Sequence, residues 1–463
     1  MVTKMYQKNA WKKYSNFDNI MKFADDYKIF LDSAKTERLA VEEIEKLLVK
    51  SNFKKIDKFL NGLKTGDKVY FTNHSKNIIA FIIGKKPIYE GLRILASHID
   101  SPRLDLKQNP IYEDGDLVLL DTHYYGGIKK YQWVAIPLAL VGVVCKKNGE
   151  IIKINIGFEK NDPVFGINDL LIHLSSEKNN VLGEQLDVSF ASIPMMNDKD
   201  NDKKDSIKKN VLKILKDKYN IEEDDFTSAE IEVVPAFLAK DYGIDRSMVS
   251  GYGQDDRSCS YCNLKAFLDT KNVDYTSCAF FVDKEEIGSV GATGASSYFI
   301  ENTIIELLKY LDLLNDKNSD SFFLLRKVLS NSKIISGDVT AAADPLFKSV
   351  DAPNGNMARI GYGLCINKYT GAYGKSHAND ADPEYIAYLK KILDENKINF
   401  QCNELGKVDV GGGGTIAYIF AKYNADIVDA GVPVFNMHAP MEIVSKVDLY
   451  ETYLFYKAFL KSN

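Results

Sequence analysis

The sequence predicts an α/β fold: a mixed, largely parallel sheet with helices on both faces, interrupted by an inserted, mainly β segment. Three observations carry this. From Pro235 to the C-terminus, apolar runs of strand length alternate with stretches of helical period, the pattern of a parallel sheet covered by helices. Between Pro102 and Pro235 the alternation gives way to short strand-like runs set off by glycine and proline turns. Carboxylates and histidines also stand just past the ends of several strand runs, where open α/β sheets bind their ligands. The expected division is therefore one discontinuous domain, residues 1–101 with 236–463, and an inserted domain over 102–235. A length of 463 residues suits two or three domains.

In chain order, residues 17–66 read as helical, because apolar positions recur at helix spacing between Lys and Glu. KVYFTNHSKNIIAFIIG then turns at Asn-His-Ser and predicts a hairpin ending at Gly84. A short buried strand, Arg93 to Ser97, follows. The insert contributes DLVLLDTHYY, WVAIPLALVGVVCKK and EIIKINI as strands, then a charged run from Met195 that predicts an exposed loop leading into a helix. After Pro235, VDYTSCAFFVDKEEIG reads as a strand and SSYFIENTIIELLKYLDLL as a helix. KVLSNSKIISGDV and PEYIAYLKKILDENKINFQCNEL each read as helix then strand, ADIVDAGVPVFN as one strand and SKVDLYETYLFYKAFLKSN as the closing helix.

Composition excludes several function classes. The formal net charge of -5 leaves no basic field for a polyanion, so nucleic acid is not an expected partner. No signal-peptide-like run opens the chain and no window of about 18 apolar residues occurs, so a cytoplasmic protein without membrane contact is expected. Six scattered cysteines build neither a disulfide framework nor a thiolate metal site; Cys259-Ser-Tyr-Cys262 lacks a partner pair. VDVGGGGTIA lacks the GKS or GKT ending of a nucleotide loop.

The chemistry-bearing residues are His98 after RILAS, Asp255 before a predicted helix, the adjacent Glu285 and Glu286, Asp338 after KIISG, and His438 after VPVFNM. Two of only six histidines thus fall just past strand ends. Taken singly, the glutamate pair reads as a solvated turn and each histidine as a hydrogen-bonded core residue. Together, imidazole and carboxylate donors on separate elements suit a borderline divalent cation such as zinc. A carboxylate shared by two ions would make a dinuclear site, leaving another carboxylate to take a proton from activated water. Asp100, two residues after His98, is placed to accept the other ring N–H of that ligand.

SHIDSPRLDLK, SGYGQDDRSC, FVDKEEIGSVGA, SGDVTAAADP and FNMHAPMEIVSKVDLYETY, in this order, resemble the successive motifs of the M18 family of aspartyl aminopeptidases, members of a clan of dizinc exopeptidases. The resemblance implies the dizinc exopeptidase fold and an aminopeptidase that hydrolyses the N-terminal residue of peptides with a free N-terminus. It makes His98, Asp255 and Asp338 the ligands of one metal, and Asp255, Glu286 and His438 those of the other. Glu285 becomes the general base and Asp100 the residue that orients His98. The two ions are expected to be Zn2+, with Mn2+ or Co2+ as alternatives. Asp256, where many members have Asn, is expected outside the ligand set. The insert is implied to act in oligomerisation and as a lid, with dimers building a dodecamer in which His173 of NDLLIHL reaches a neighbouring active site. Ala341 stands where eukaryotic members carry a histidine, so a cation for an acidic substrate side chain must come from elsewhere; Lys368 is the candidate, Lys375 the weaker one. Two further readings stay open: an amidohydrolase or deacylase acting on small N-acyl compounds, and a non-catalytic peptide-binding homologue.

Overall fold

The computed structural model describes residues 8–462 except 60–61, 175–180, 196–204, 315–319, 372 and 411. Contacts divide the chain into two units. The first comprises Met1–Asp100, Ala239–Met437 and Met441–Asn463; the second comprises Ser101–Leu238 and His438–Pro440.

In the first unit the hairpin forms from Lys68–Asn73 and Asn77–Ile82, joined by three residues of which His74 and Ser75 stand at positive φ, and the Lys76 N–H closes the turn on the Asn73 carbonyl oxygen (3.0 Å). Among the described residues, nine strands make a mixed sheet. At its centre, Ser277–Val282, Arg93–His98, Lys333–Gly337 and Asp426–Gly431 run parallel side by side. Their residues alternate strictly between two apolar layers. Leu95, Ala279, Phe281, Ile335 and Val428 face one core with the helices Asp18–Ser33, Glu37–Lys50, Gln254–Leu268, Pro383–Glu395 and Lys446–Leu460. Ile94, Ala96, Phe280, Val282 and Ile334 face the other, with Phe299–Tyr310, Ser321–Ser330 and Ala417–Ala421. Helices cover both faces, as the alternation predicted, although the one at Ala417–Ala421 was not among those expected, and each fully buried aromatic contributes roughly 1.5–3 kcal/mol.

Two segments read as single elements are divided in the structure. The stretch expected to be helical over 17–66 is two helices, Asp18–Ser33 and Glu37–Lys50, because the Thr36 hydroxyl accepts the Leu39 N–H (3.4 Å) and starts a new one. Beyond it Asn52 turns to φ 67°, and Lys54–Lys55 joins the sheet instead. ADIVDAGVPVFN is likewise two strands in different sheets, Asp426–Gly431 and Pro433–Phe435. At the break, a Cβ on Gly431 would lie 1.9 Å from the Asp338 carbonyl oxygen, so only glycine lets the strand pass the residue after Gly337.

Asp429, on the first of these strands, is fully buried. Burial pushes its carboxyl up to about 6 from 3.8, against the pull of the Ser336 and Thr415 hydroxyls. The folded state therefore keeps a proton that the unfolded chain releases, and stability falls as pH rises from about 4 to about 6. Asp429→Asn is expected to remove that slope, raising Tm at pH 8 while leaving it unchanged near pH 4. Thermal melts across pH check this; equal Tm gains at both ends would contradict it.

The described residues of the second unit include a six-stranded antiparallel sheet in the order Ile151–Ile156, Leu138–Cys145, Ala229–Pro235, Arg103–Asp114, Leu117–Tyr125, Val188–Ala191. The register of Arg103–Asp114 shifts between Leu106 and Ile111, around Pro110, which cannot donate to the ladder. The charged run leads into the helix Ser206–Tyr219, while the loop expected at 196–204 lies outside the described residues.

Candidate active site

Three chain segments leave the central sheet at one level. Val282 pairs with His98 and Gly337 with Ser97 in parallel register, so His98, the turn carrying Glu285 and Glu286, and Asp338 emerge together. Asp255 and Asp256 open the Gln254–Leu268 helix with non-helical backbone angles and a cis peptide between them. The carboxylate of buried Glu442 holds this corner by accepting the N–H groups of Gln254 (2.6 Å) and Asp255 (3.1 Å).

His98 is buried. Its Nδ1 lies 3.1 Å from the Asp100 carbonyl oxygen and 3.3 Å from Oδ1 of the same residue. A carbonyl oxygen only accepts, so Nδ1 carries a proton and Nε2 is turned inward, 3.2 Å from Asp255 Oδ1 and 4.0 Å from Asp338 Oδ1. Asp100 does a second thing that its spacing from His98 did not reveal. Its Oδ1 accepts the Glu285 N–H (3.1 Å) and its Oδ2 the Glu286 N–H (3.2 Å). One buried carboxylate thus fixes both the imidazole and the backbone of the glutamate pair.

Two donor groups result. His98, Asp255 and Glu286 each bring a ligand atom within 4.8 Å of the others, and so do Asp255, Asp256 and Asp338. Asp255 is common to both; Glu285 is in neither. Asp256, expected outside the ligand set, brings a carboxylate oxygen into the second group. The electrostatics show what the cluster needs. Burial opposes a charge on His98, yet hydrogen bonds to Asp100 and Asp255 hold its pKa well above the usual imidazole value. Burial also pushes Asp338 well above the carboxylate range; the nearby Glu285, Asp256 and Asp255 reinforce this and His98 opposes it. So many carboxylates around one imidazole cannot all ionise together without added positive charge. Mixed imidazole and carboxylate donors, shared through Asp255, fit divalent zinc.

The remaining expected site residues are spread more widely. His438 groups with the second unit, at φ 66°, and its Nδ1–H donates to the Gly127 carbonyl oxygen (2.8 Å), which keeps the lone pair on Nε2. His173 sits in the second unit, in the exposed turn Ile172–Leu174. Lys368 follows Leu364–Asn367, which runs antiparallel to Asp426–Gly431; Asn367 lies opposite Asp429, itself level with Ser336, so the chain is heading away from the level of Asp338 as it reaches Lys368. Its ammonium lies 3.9 Å from Asp380, and that of Lys375 lies 3.4 Å from the same carboxylate.

A family model described as aminopeptidase I zinc metalloprotease (M18) matches residues 30–460. The chain belongs to the M18 family. As an M18 aminopeptidase it is a zinc-dependent hydrolase. It is 51% identical over 466 residues to the probable M18 family aminopeptidase 1 of Clostridium acetobutylicum, covering 98% of each chain. The crystal structure of an M18 aminopeptidase from Thermotoga maritima superposes with a TM-score of 0.94 at 44% identity, covering 99% of this chain and all of that one. The S. cerevisiae mApe1 dodecamer shares the fold at 21% identity with a TM-score of 0.76, covering 96% of each chain. Among the described residues of this M18 aminopeptidase, no helix is long and apolar enough to cross a membrane.

Proposed function

We propose that this aminopeptidase cleaves the N-terminal residue from peptides with Glu285 as general base and two metal ions. The ions are zinc in this reading. His98 and Asp338 would hold one, Glu286 and His438 the other, with Asp255 between them. When bound, such ions polarise the scissile carbonyl and make a water molecule acidic near neutral pH. Glu285 takes the proton of the attacking water and returns it to the nitrogen of the leaving amine. Asp100 keeps His98 in the tautomer that offers Nε2, and it anchors the backbone from which Glu285 and Glu286 diverge. That dual contact is the observation that carries the reading, because it gives the adjacent glutamates one fixed origin and separate tasks.

The same proposal includes a homo-oligomer, dimers building a dodecamer, in the cytoplasm, with His173 supplied to a neighbouring subunit. The exposed apolar side chains of Leu170, Leu171, Ile172 and Leu174 around His173 support it, since such patches mark interaction surfaces. So does the dodecameric state of S. cerevisiae mApe1. A preference for acidic N-terminal residues, with Lys368 as the cation, belongs to this reading too.

The test is a panel of Asp-, Glu- and Leu-initiated aminoacyl-nitroanilides beside their N-acetylated forms, with zinc, manganese or cobalt restored after chelation. Only free-amine substrates are expected to be cleaved, and only with metal present. Preferential hydrolysis of the N-acetyl compounds would instead identify a deacylase. Metal-loaded protein that binds peptides and cleaves none would identify a non-catalytic homologue.

A further inference from the structure

The segment bearing Glu285 and Glu286 is an irregular loop with unusual backbone. Lys284 and Ser289 stand at φ 69° and 61°, left-handed values that non-glycine residues seldom adopt. Its tip is partly solvent-exposed, with Ile287, Gly288 and Val290 all open to water. A loop of this kind holds a catalytic side chain in place only if something closes its base.

The closure is built from buried side chains outside the metal-donor groups. Asp283 Oδ2 accepts the Thr293 hydroxyl (2.6 Å), and the Asp283 N–H donates to the Thr293 carbonyl oxygen (3.3 Å). Asn77, on the neighbouring hairpin, donates its side-chain N–H to that same carbonyl (2.7 Å). Asp283, Thr293 and Asn77 are all nearly or fully buried, whereas Glu285 and Glu286 are half-buried. Asp283 and Gly294 pair as an isolated bridge, and a Cβ on Gly294 would lie 2.1 Å from the Ser289 carbonyl oxygen, so the two arms of the loop are in close contact.

We propose that Asp283, Thr293 and Asn77 form a positioning clasp that sets the direction of Glu285 for the reaction. The inference rests on the reading of Glu285 as general base. The clasp ties both ends of the loop to the sheet, while Asp100 ties the two glutamate amides between them. Loosening the base lets Glu285 swing without removing any metal donor.

Thr293→Val keeps the shape and removes the hydroxyl. It is expected to lower kcat by about 10–100-fold, the range found when groups supporting a metal site are removed. KM should stay within about threefold and zinc content, read by mass spectrometry, should match the parent. Thr293→Ser restores the donor and should recover most of kcat, which a merely space-filling role would not do. A Thr293→Val enzyme with parental kcat overturns the clasp, and so does one whose loss of kcat tracks loss of zinc. If Thr293→Val does not fold, Asn77→Leu, which removes the second donor, is judged by the same criteria. Parental activity in Glu285→Gln would overturn the general-base reading itself. An inactive Glu285→Gln beside a fully active Thr293→Val overturns the clasp alone.

Discussion

Glu285→Gln is expected to keep its metals and lose nearly all turnover, with kcat falling by ~10²–10⁴-fold, the usual contribution of a general base. The argument starts from what the substitution leaves intact. Glu285 belongs to neither donor group, whereas its neighbour Glu286 belongs to one with His98 and Asp255. Its backbone N–H is held by Asp100, a contact that a side-chain change does not touch. Gln has nearly the same volume and still accepts a hydrogen bond, so the loop keeps its path. What it lacks is an oxygen basic enough to take a proton from water. Glu286→Ala should behave in the opposite way, losing bound metal and activity together. Zinc content and kcat measured on the same samples separate the two, and parental kcat in metal-loaded Glu285→Gln would remove Glu285 from the mechanism.

Much of this site could be read from sequence because parallel strands end in step. His98, Asp283 and Asp338 directly follow buried runs that pair in register, so three sequence positions far apart map to one level of the sheet. The helix layers were legible for a similar reason, since strict alternation between two apolar faces demands cover on both. Strand direction was not legible. Nothing in LCINKYTG distinguishes a strand entering the sheet parallel from one entering antiparallel, and that choice turns the chain at Lys368 away from the level of Asp338. The grouping of Asp256 with Asp255 and Asp338 depends on the bent backbone at the head of a helix, whose local sequence reads simply as a helix start. The second role of Asp100 was hidden because its amide partners are 185 and 186 residues away. The breaks at Thr36 and Gly431 were missed for opposite reasons: one is a local cap inside a continuous helical period, the other a close approach to a distant carbonyl.

The largest loss of metal is expected from Asp255→Ala. Asp255 is the one residue common to the two donor groups, so its removal takes a donor from each at once. Its carboxylate also faces His98 Nε2 at 3.2 Å and contributes to the crowding that raises Asp338. The corner that carries it should survive, because Glu442 holds that corner through backbone N–H groups rather than through the Asp255 side chain. The variant should therefore fold yet bind neither ion firmly. A ligand that binds only the folded state raises Tm by mass action, and that rise disappears when binding does. For the parent protein, Tm in zinc should exceed Tm in chelator. For Asp255→Ala the two melts should coincide, with activity abolished in both. Zinc-dependent stabilisation persisting in Asp255→Ala at the parental metal content would show that the two donor groups do not share this carboxylate.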